Sequence, residues 1–185
     1  RAPPPGSRHR GLSDAARRAL LLASAADSDD EATLVGTAPD VAAGLDEAEA
    51  SGLVRIRRGR VEFRHPLVRS ALYSSAPASE VRAAHAALAD RLRDTPLRGA
   101  WHRALAATEP DVAVAETLTT AASTALRTGA AATAARLFEQ AARMTPPGEQ
   151  RCARLLDAGR AAWLGGRPGE ALALLGRARD GAADP

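Results

Sequence analysis

The sequence predicts a mainly α fold in two parts: three helices closed by one β-hairpin, then a run of paired helices. Three observations carry this. Aromatic residues make up only 3% of the 185 residues and alanine dominates the apolar set, so the core must be built from small side chains and leucine. Such a core suits close-packed helices and poorly suits a β-sandwich. Apolar–polar alternation, the mark of a half-buried strand, is confined to residues 53–64. The last third of the chain aligns on itself from Gly129 to Gly166, a shift of 37 residues.

Composition narrows the function classes. No run of about 18 apolar residues exists, which excludes a membrane-spanning helix. All 25 basic residues are arginine, so no mechanism can use a lysine. Cys152 is the single cysteine, which allows no internal disulfide and fits a cytoplasmic location. The net charge is only +3, and the pI near 10.2 reflects arginine's high pKa rather than a basic footprint. The opening Arg1-Ala-Pro-Pro-Pro-Gly-Ser stretch has no apolar core of a signal peptide. Residues 1–11 read as a disordered linker, and the chain as a piece of something longer.

The elements follow in order. Ser13 can cap a first helix through Ala15–Ala23, with Asp14 favourable in its first turn. The acidic stretch Asp27–Glu31 ends it and starts a short second helix near Ala32–Val35. Pro39 sits at the start of a third helix that carries Val41, Leu45 and Ala48 and closes at Gly52. Leu53–Arg57 alternates, Arg58-Gly59 turns, and Arg60–Arg64 alternates back. Three helices followed by a hairpin is the layout of a winged helix, placed at 12–64.

From His65 onward everything reads helical. Pro66 opens a segment through Leu72, and Pro77 opens another in which Val81, Ala84, Leu88 and Leu92 form a helical stripe. A shorter helix carries Leu97, Trp101 and Leu105, and four more follow. The internal shift aligns Ala134 with Ala171, Leu137 with Leu174, Phe138 with Leu175 and Ala141 with Ala178. Before each glycine it aligns Leu118 with Leu155, Ala121 with Ala158 and Ala125 with Ala162. Each unit is a helix, a glycine turn and a second helix. A period in the mid-thirties with small residues at helix crossings resembles the tetratricopeptide family, with Leu or Ala at its usual aromatic positions. The expected second domain, 65–185, is thus a tetratricopeptide-like α-superhelix.

Two stretches carry a further likeness: Gly59-Arg-Val-Glu-Phe-Arg-His-Pro-Leu-Val-Arg-Ser-Ala-Leu-Tyr73, and Arg82-Ala-Ala-His-Ala-Ala-Leu-Ala89 with Ala100-Trp-His102 downstream. Together they resemble the middle of the large ATP-binding regulators of the LuxR type, in the STAND class of signalling NTPases. The resemblance implies an upstream P-loop ATPase module in the same chain, a winged helix, a helical sensor for a small-molecule or protein inducer, and a promoter-binding helix-turn-helix. The chain itself holds no Gly-x-x-x-x-Gly-Lys-Ser/Thr and no second helix-turn-helix, so ATP or ADP would belong to the longer protein. No enzyme activity is expected of these residues, nor a metal, since the histidines and Cys152 lack ligand spacing.

The resemblance also implies that His65, flanked by Arg64 and Arg69, reaches the β-phosphate of bound ADP and holds the protein closed. The bland reading of His65 is a cap at a strand–helix junction. DNA binding by the winged helix is the alternative, with Arg55, Arg57, Arg58 and Arg60 on phosphates. Its third helix, however, carries Asp40, Asp46, Glu47 and Glu49 and no base, which a duplex would repel. His85 and His102 read as buried, hydrogen-bonded histidines, and Cys152 as core in line with Leu155, Leu156, Gly159 and Trp163. Ser74, Ser75 and Ser79 read as helix-end caps. Arg127, Arg136, Arg143 and Arg160 are candidates for a groove on the repeats. A plain protein-binding scaffold is the remaining alternative.

Overall fold

The computed structural model describes residues 11–26 and 28–182; residues 1–10 of the expected linker and the final Ala183-Asp184-Pro185 lie outside the described residues. The chain divides between Ala106 and Ala107 into two compact units.

The first unit runs α1 (Asp14–Ala25), α2 (Glu31–Val35), α3 (Val41–Ala50), β1 (Val54–Arg57), β2 (Arg60–Phe63), α4 (Pro66–Ser75), α5 (Ala78–Arg91) and α6 (Pro96–Ala106). Ser13 caps α1, its hydroxyl accepting from the Ala16 N–H at 3.1 Å. Asp30 caps α2 and accepts from the Thr33 N–H at 2.8 Å. Leu20, Leu34, Val41, Leu45, Val54, Val61 and Leu88 are fully buried in one core, each contributing about 1.5–3 kcal/mol relative to exposure. Helices α1 and α3 approach so closely that a Cβ on Gly44 would lie 2.4 Å from the Ala15 carbonyl oxygen.

The hairpin pairs Val54 with Phe63, Arg55 with Glu62, Ile56 with Val61 and Arg57 with Arg60. Its two turn residues, Arg58 and Gly59, both take positive φ (52° and 73°), the backbone that a two-residue hairpin on a right-twisted ribbon requires. Asp30 also bridges to Arg60, the Val61 N–H donating to the Asp29 carbonyl at 2.7 Å. The acidic stretch between α1 and α2 is therefore a third, one-residue rung on the ribbon, beyond the helix boundary its sequence announced.

The expected division fell at 64/65. The observed one falls later because α4 and α5 pack on α1, and α6 packs on α5.

The second unit comprises α7 (Val112–Arg127), α8 (Ala131–Arg143), α9 (Glu149–Leu164) and α10 (Pro168–Ala182). Each helix packs chiefly on its neighbours in sequence: α7 on α8, α8 on α9, α9 on α10. Gly129 and Gly166, the repeat-related turn glycines, have φ of 82° and 73°, the left-handed region that only glycine enters cheaply. Ala134 and Ala171 are both fully buried, as are Leu118 and Leu155 within a few per cent. Arg154 joins three segments: its guanidinium donates to Thr119 Oγ1 at 3.1 Å, to Thr145 Oγ1 at 2.6 Å, and to Glu116.

One expectation is corrected here. Cys152, Leu155 and Gly159 are buried, but Leu156 and Trp163 are 42% and 65% exposed. Helix α10 covers one edge of that stripe, with Leu175 over Gly159 and Gly181 beside Cys152, and the adjoining edge faces outward.

Candidate functional site

The candidate site is the arginine-rich ribbon and the start of α4 that follows it. Arg57, Arg58, Arg60 and Arg64 are exposed and Arg55 is half-exposed. Arg57 stands directly opposite Arg60, a cross-strand pair of like charges that costs the hairpin a few tenths of a kcal/mol. Arg60 is partly neutralised by Asp29 at 3.5 Å. Among the described residues, Arg57, Arg58 and Arg64 have no ion-pair partner, so the tip of the ribbon presents uncompensated positive charge.

His65 is the N-cap of α4. Its Nδ1 accepts from the Leu67 N–H at 3.2 Å, and Pro66 occupies the first helical position, where a missing N–H costs nothing. An Nδ1 that accepts must be unprotonated, so the ring hydrogen sits on Nε2 and is available as a donor. The side chain is exposed.

Arg69, one turn along α4, points elsewhere. Its guanidinium donates to the Ser24 carbonyl at 3.3 Å, to the Ala26 carbonyl, and to Asp29 at 3.4 Å. It thereby satisfies orphan carbonyls at the C-terminal end of α1 and favours the negative end of that helix dipole. The structure thus brings His65 and Arg64 together at the ribbon's exit, while Arg69 is committed to holding α4 against α1.

The acids of α3 are also committed. Glu47 accepts from the Ser13 N–H at 2.9 Å and from its hydroxyl, and the hydroxyl bond first, the backbone bond second, hold its carboxyl below its ordinary pKa. Glu49 accepts from the Ile56 N–H at 2.7 Å, and Asp40 pairs with Arg18 at 2.6 Å. Asp30 is likewise lowered, mainly by the Thr33 hydroxyl and then by its N–H. Glu47, Glu49 and the N-cap residue Asp40 therefore lock α3 to α1 and β1, and Asp46 is the one acid of the helix left out.

A buried polar cluster lies where α4, α5 and α6 meet. Tyr73 Oη is 2.9 Å from His85 Nε2, and His85 Nδ1 is 2.9 Å from His102 Nδ1. The two imidazoles stack with centroids 5.1 Å apart and are 2% and 0% exposed. One hydrogen lies between the two Nδ1 atoms, so one ring donates and the other accepts. The expected burial is confirmed, and the mutual bond is new.

The remaining candidates resolve into ordinary roles. Ser75 bonds the Leu72 carbonyl at 3.4 Å, and the N-cap of α5 is Pro77 without a side-chain bond, so Ser79 caps nothing there. Arg127 donates to Thr124 Oγ1 at 3.1 Å and Arg160 lies 3.8 Å from Asp157. Arg136 and Arg143 lie on α8, the helix between those that carry Arg127 and Arg160. A groove of about 410 Å³ between α1 and α5 is floored by Leu21, Leu22 and Ala84 and rimmed by Arg17, Arg18 and Glu80. Among the described residues no three metal-ligating side chains cluster, and no helix is long and apolar enough to cross a membrane.

Comparison of the chain with family models, curated proteins and solved structures returns no match. The functional reading therefore rests on these residues and on the sequence likeness given above.

Proposed function

We propose that the chain is the regulatory middle of a LuxR-type ATP-binding transcriptional regulator, a winged helix followed by tetratricopeptide-like repeats. It relays nucleotide state and inducer binding rather than performing chemistry. The order helix, one-residue rung, helix, helix, hairpin is what a winged helix has, and it supports that reading of the first unit. Two helix–glycine–helix units with equivalent positive-φ turns support the tetratricopeptide-like reading of the second.

The observation that carries the relay is the state of His65. With Nδ1 held by the Leu67 N–H, the exposed Nε2–H can donate to a phosphate oxygen of ADP held by an ATPase module of the same protein. Arg64 adds charge beside it. Arg69 then acts through α4, fixing it on α1, rather than on the nucleotide. An inducer on the repeats would shift the balance between closed and open states. The test is ADP retention by the product of the complete reading frame. His65→Ala should release ADP faster, and His65→Asn, which keeps the cap, should also release it. Retention equal to the parent in both variants sinks the nucleotide role.

A second reading is favoured by the unpaired ribbon tip: Arg55, Arg57, Arg58 and Arg60 on the phosphates of a duplex. A salt-dependent mobility shift of duplex DNA, lost on replacing Arg57 and Arg58 by Ser, would establish it. The acidic outer side of α3, where Asp46 stays exposed, argues for no shift.

A further inference from the structure

The buried histidine pair of the first unit serves no step of the proposed relay, yet it joins three helices. Tyr73 reaches it from α4, His85 belongs to α5 and His102 to α6. Helix α6 packs on α5 so closely that a Cβ on Gly99 would lie 2.9 Å from the Leu92 carbonyl oxygen. The His85–His102 bond is a buried polar tie across that packing, and α6 is the element through which the chain leaves the unit.

The pair has a fixed proton capacity. At 2.9 Å only one hydrogen fits between the two Nδ1 atoms, so one of them always keeps its lone pair. The four ring nitrogens therefore hold the two hydrogens of the neutral pair and a single one more. With that third hydrogen in place, His85 Nε2–H donates to Tyr73 Oη, 2.9 Å away. A fourth would set two hydrogens against each other, and two cations in stacked rings that are 2% and 0% exposed.

Each of the three helices adds a cation on that side. Arg69, Arg82 and Arg98 stand one turn before Tyr73, His85 and His102. Arg69 is committed to the carbonyls at the end of α1 and to Asp29, and Arg98 donates to Ser28 Oγ at 2.9 Å. Helix α1, which packs on α4 and α5, carries Asp14, Arg17 and Arg18. All three line the groove beside Glu80 of α5, Asp14 pairing with Arg17 and Arg18 with Asp40. Helix α2 also touches α5, and its charged residue, Glu31, lies in its first turn.

We propose that the His85–His102 bond is a latch between α5 and α6 that opens in mild acid. When α6 leaves α5, both imidazoles reach water and each takes its own proton near the ordinary histidine value of about 6.5. The opened state then binds at least one proton more than the closed one, so acid favours opening. The latch is at full strength above about pH 7 and weakens as pH falls below the ordinary histidine value. This window lies above that of Glu47 and Asp30, whose carboxyls titrate below their ordinary 4.5 and 3.8.

The test is amide hydrogen exchange of α6 in the 185-residue chain, read as protection relative to unstructured peptide, from about pH 7 to about pH 5. Below about pH 6, protection should fall at least about tenfold per pH unit, the factor for one proton. His102→Asn sets an amide where Nδ1 stood, and its oxygen accepts from a protonated His85. Its closed state thus refuses one proton fewer, and its slope should be shallower by about tenfold per pH unit. If that variant fails to fold, ring-nitrogen NMR of the unaltered chain decides. At about pH 5.5 the closed form should then show no more than one imidazolium among His85 and His102. Protection independent of pH, equal slopes in the two chains, or both rings as imidazolium while α6 stays protected each overturn the proposal.

Discussion

Replacing glycine by alanine at three positions of the second unit should give two losses of stability and one gain. Gly129 and Gly166 have φ of 82° and 73°, and at neither would the new Cβ meet an atom within 4 Å. Steric clash is thus absent, and the cost is the left-handed backbone itself, about 1–2 kcal/mol for an L-residue. Gly176 sits inside α10 at helical φ with the same open surroundings, so alanine there should stabilise by about 0.5–1 kcal/mol. For a unit of this size each kcal/mol moves the midpoint by roughly 4–8 °C. Thermal melts followed by circular dichroism at low protein concentration should show Gly129→Ala and Gly166→Ala lowered by similar amounts and Gly176→Ala raised. Since 129 and 166 are repeat-related, unequal signs at those two would refute the 37-residue repeat, and a neutral Gly129→Ala would refute the backbone account.

Arg154→Ala should destabilise by about 2–4 kcal/mol in urea unfolding, since it removes a buried stem and the donor to two hydroxyls that keep only their own bonds to the Ala115 and Ala141 carbonyls; the Glu116 part is discounted because that carboxylate is 61% exposed. Thr145→Val combined with it should show strong coupling, and additive losses would contradict the network. Glu47 and Asp30 both have lowered folded pKa values, so their contributions are full above the unfolded values and vanish as pH falls through the folded ones. Acid titration should therefore erode the first unit from about pH 4.5 downward, and Glu47→Gln should flatten that slope; an unchanged slope is the contrary result. His65→Ala should cost about 0.5–2 kcal/mol through loss of the α4 cap, with His65→Asn largely restoring it, as read by hydrogen exchange at the Leu67 amide.

Local chemistry made much of this fold legible in the sequence. Ser13 before an alanine–leucine run, Arg58-Gly59 between alternating strands, and Pro66 and Pro77 at helix starts all act over a few residues, and each element lies where those signals put it. The repeat was legible because Gly129 and Gly166 each answer a backbone requirement that other residues meet only with strain. What stayed hidden depends on tertiary approach. Asp29 and Asp30 read as a helix stop because their rung needs the distant Arg60. The acids of α3 read only as a repulsive surface, since their partners Ser13, Arg18 and the Ile56 amide come from other elements. His85 and His102 each looked buried, but their bond forms only when α6 packs on α5. Trp163 was misplaced because a helical stripe does not say how wide a strip the neighbouring helix covers. At the site, His65 and its cap were legible from His-Pro after a strand, whereas Arg69 looked like a phosphate ligand until α1's carbonyls came within its reach.

The regulatory reading is tested most directly by determining the coding sequence on either side of this segment. The account predicts a Gly-x-x-x-x-Gly-Lys-Ser/Thr motif within a few hundred codons upstream and a helix-turn-helix downstream in the same frame. A frame bounded near Arg1 and Pro185 would contradict it and leave the arginine ribbon as the first place to look for function.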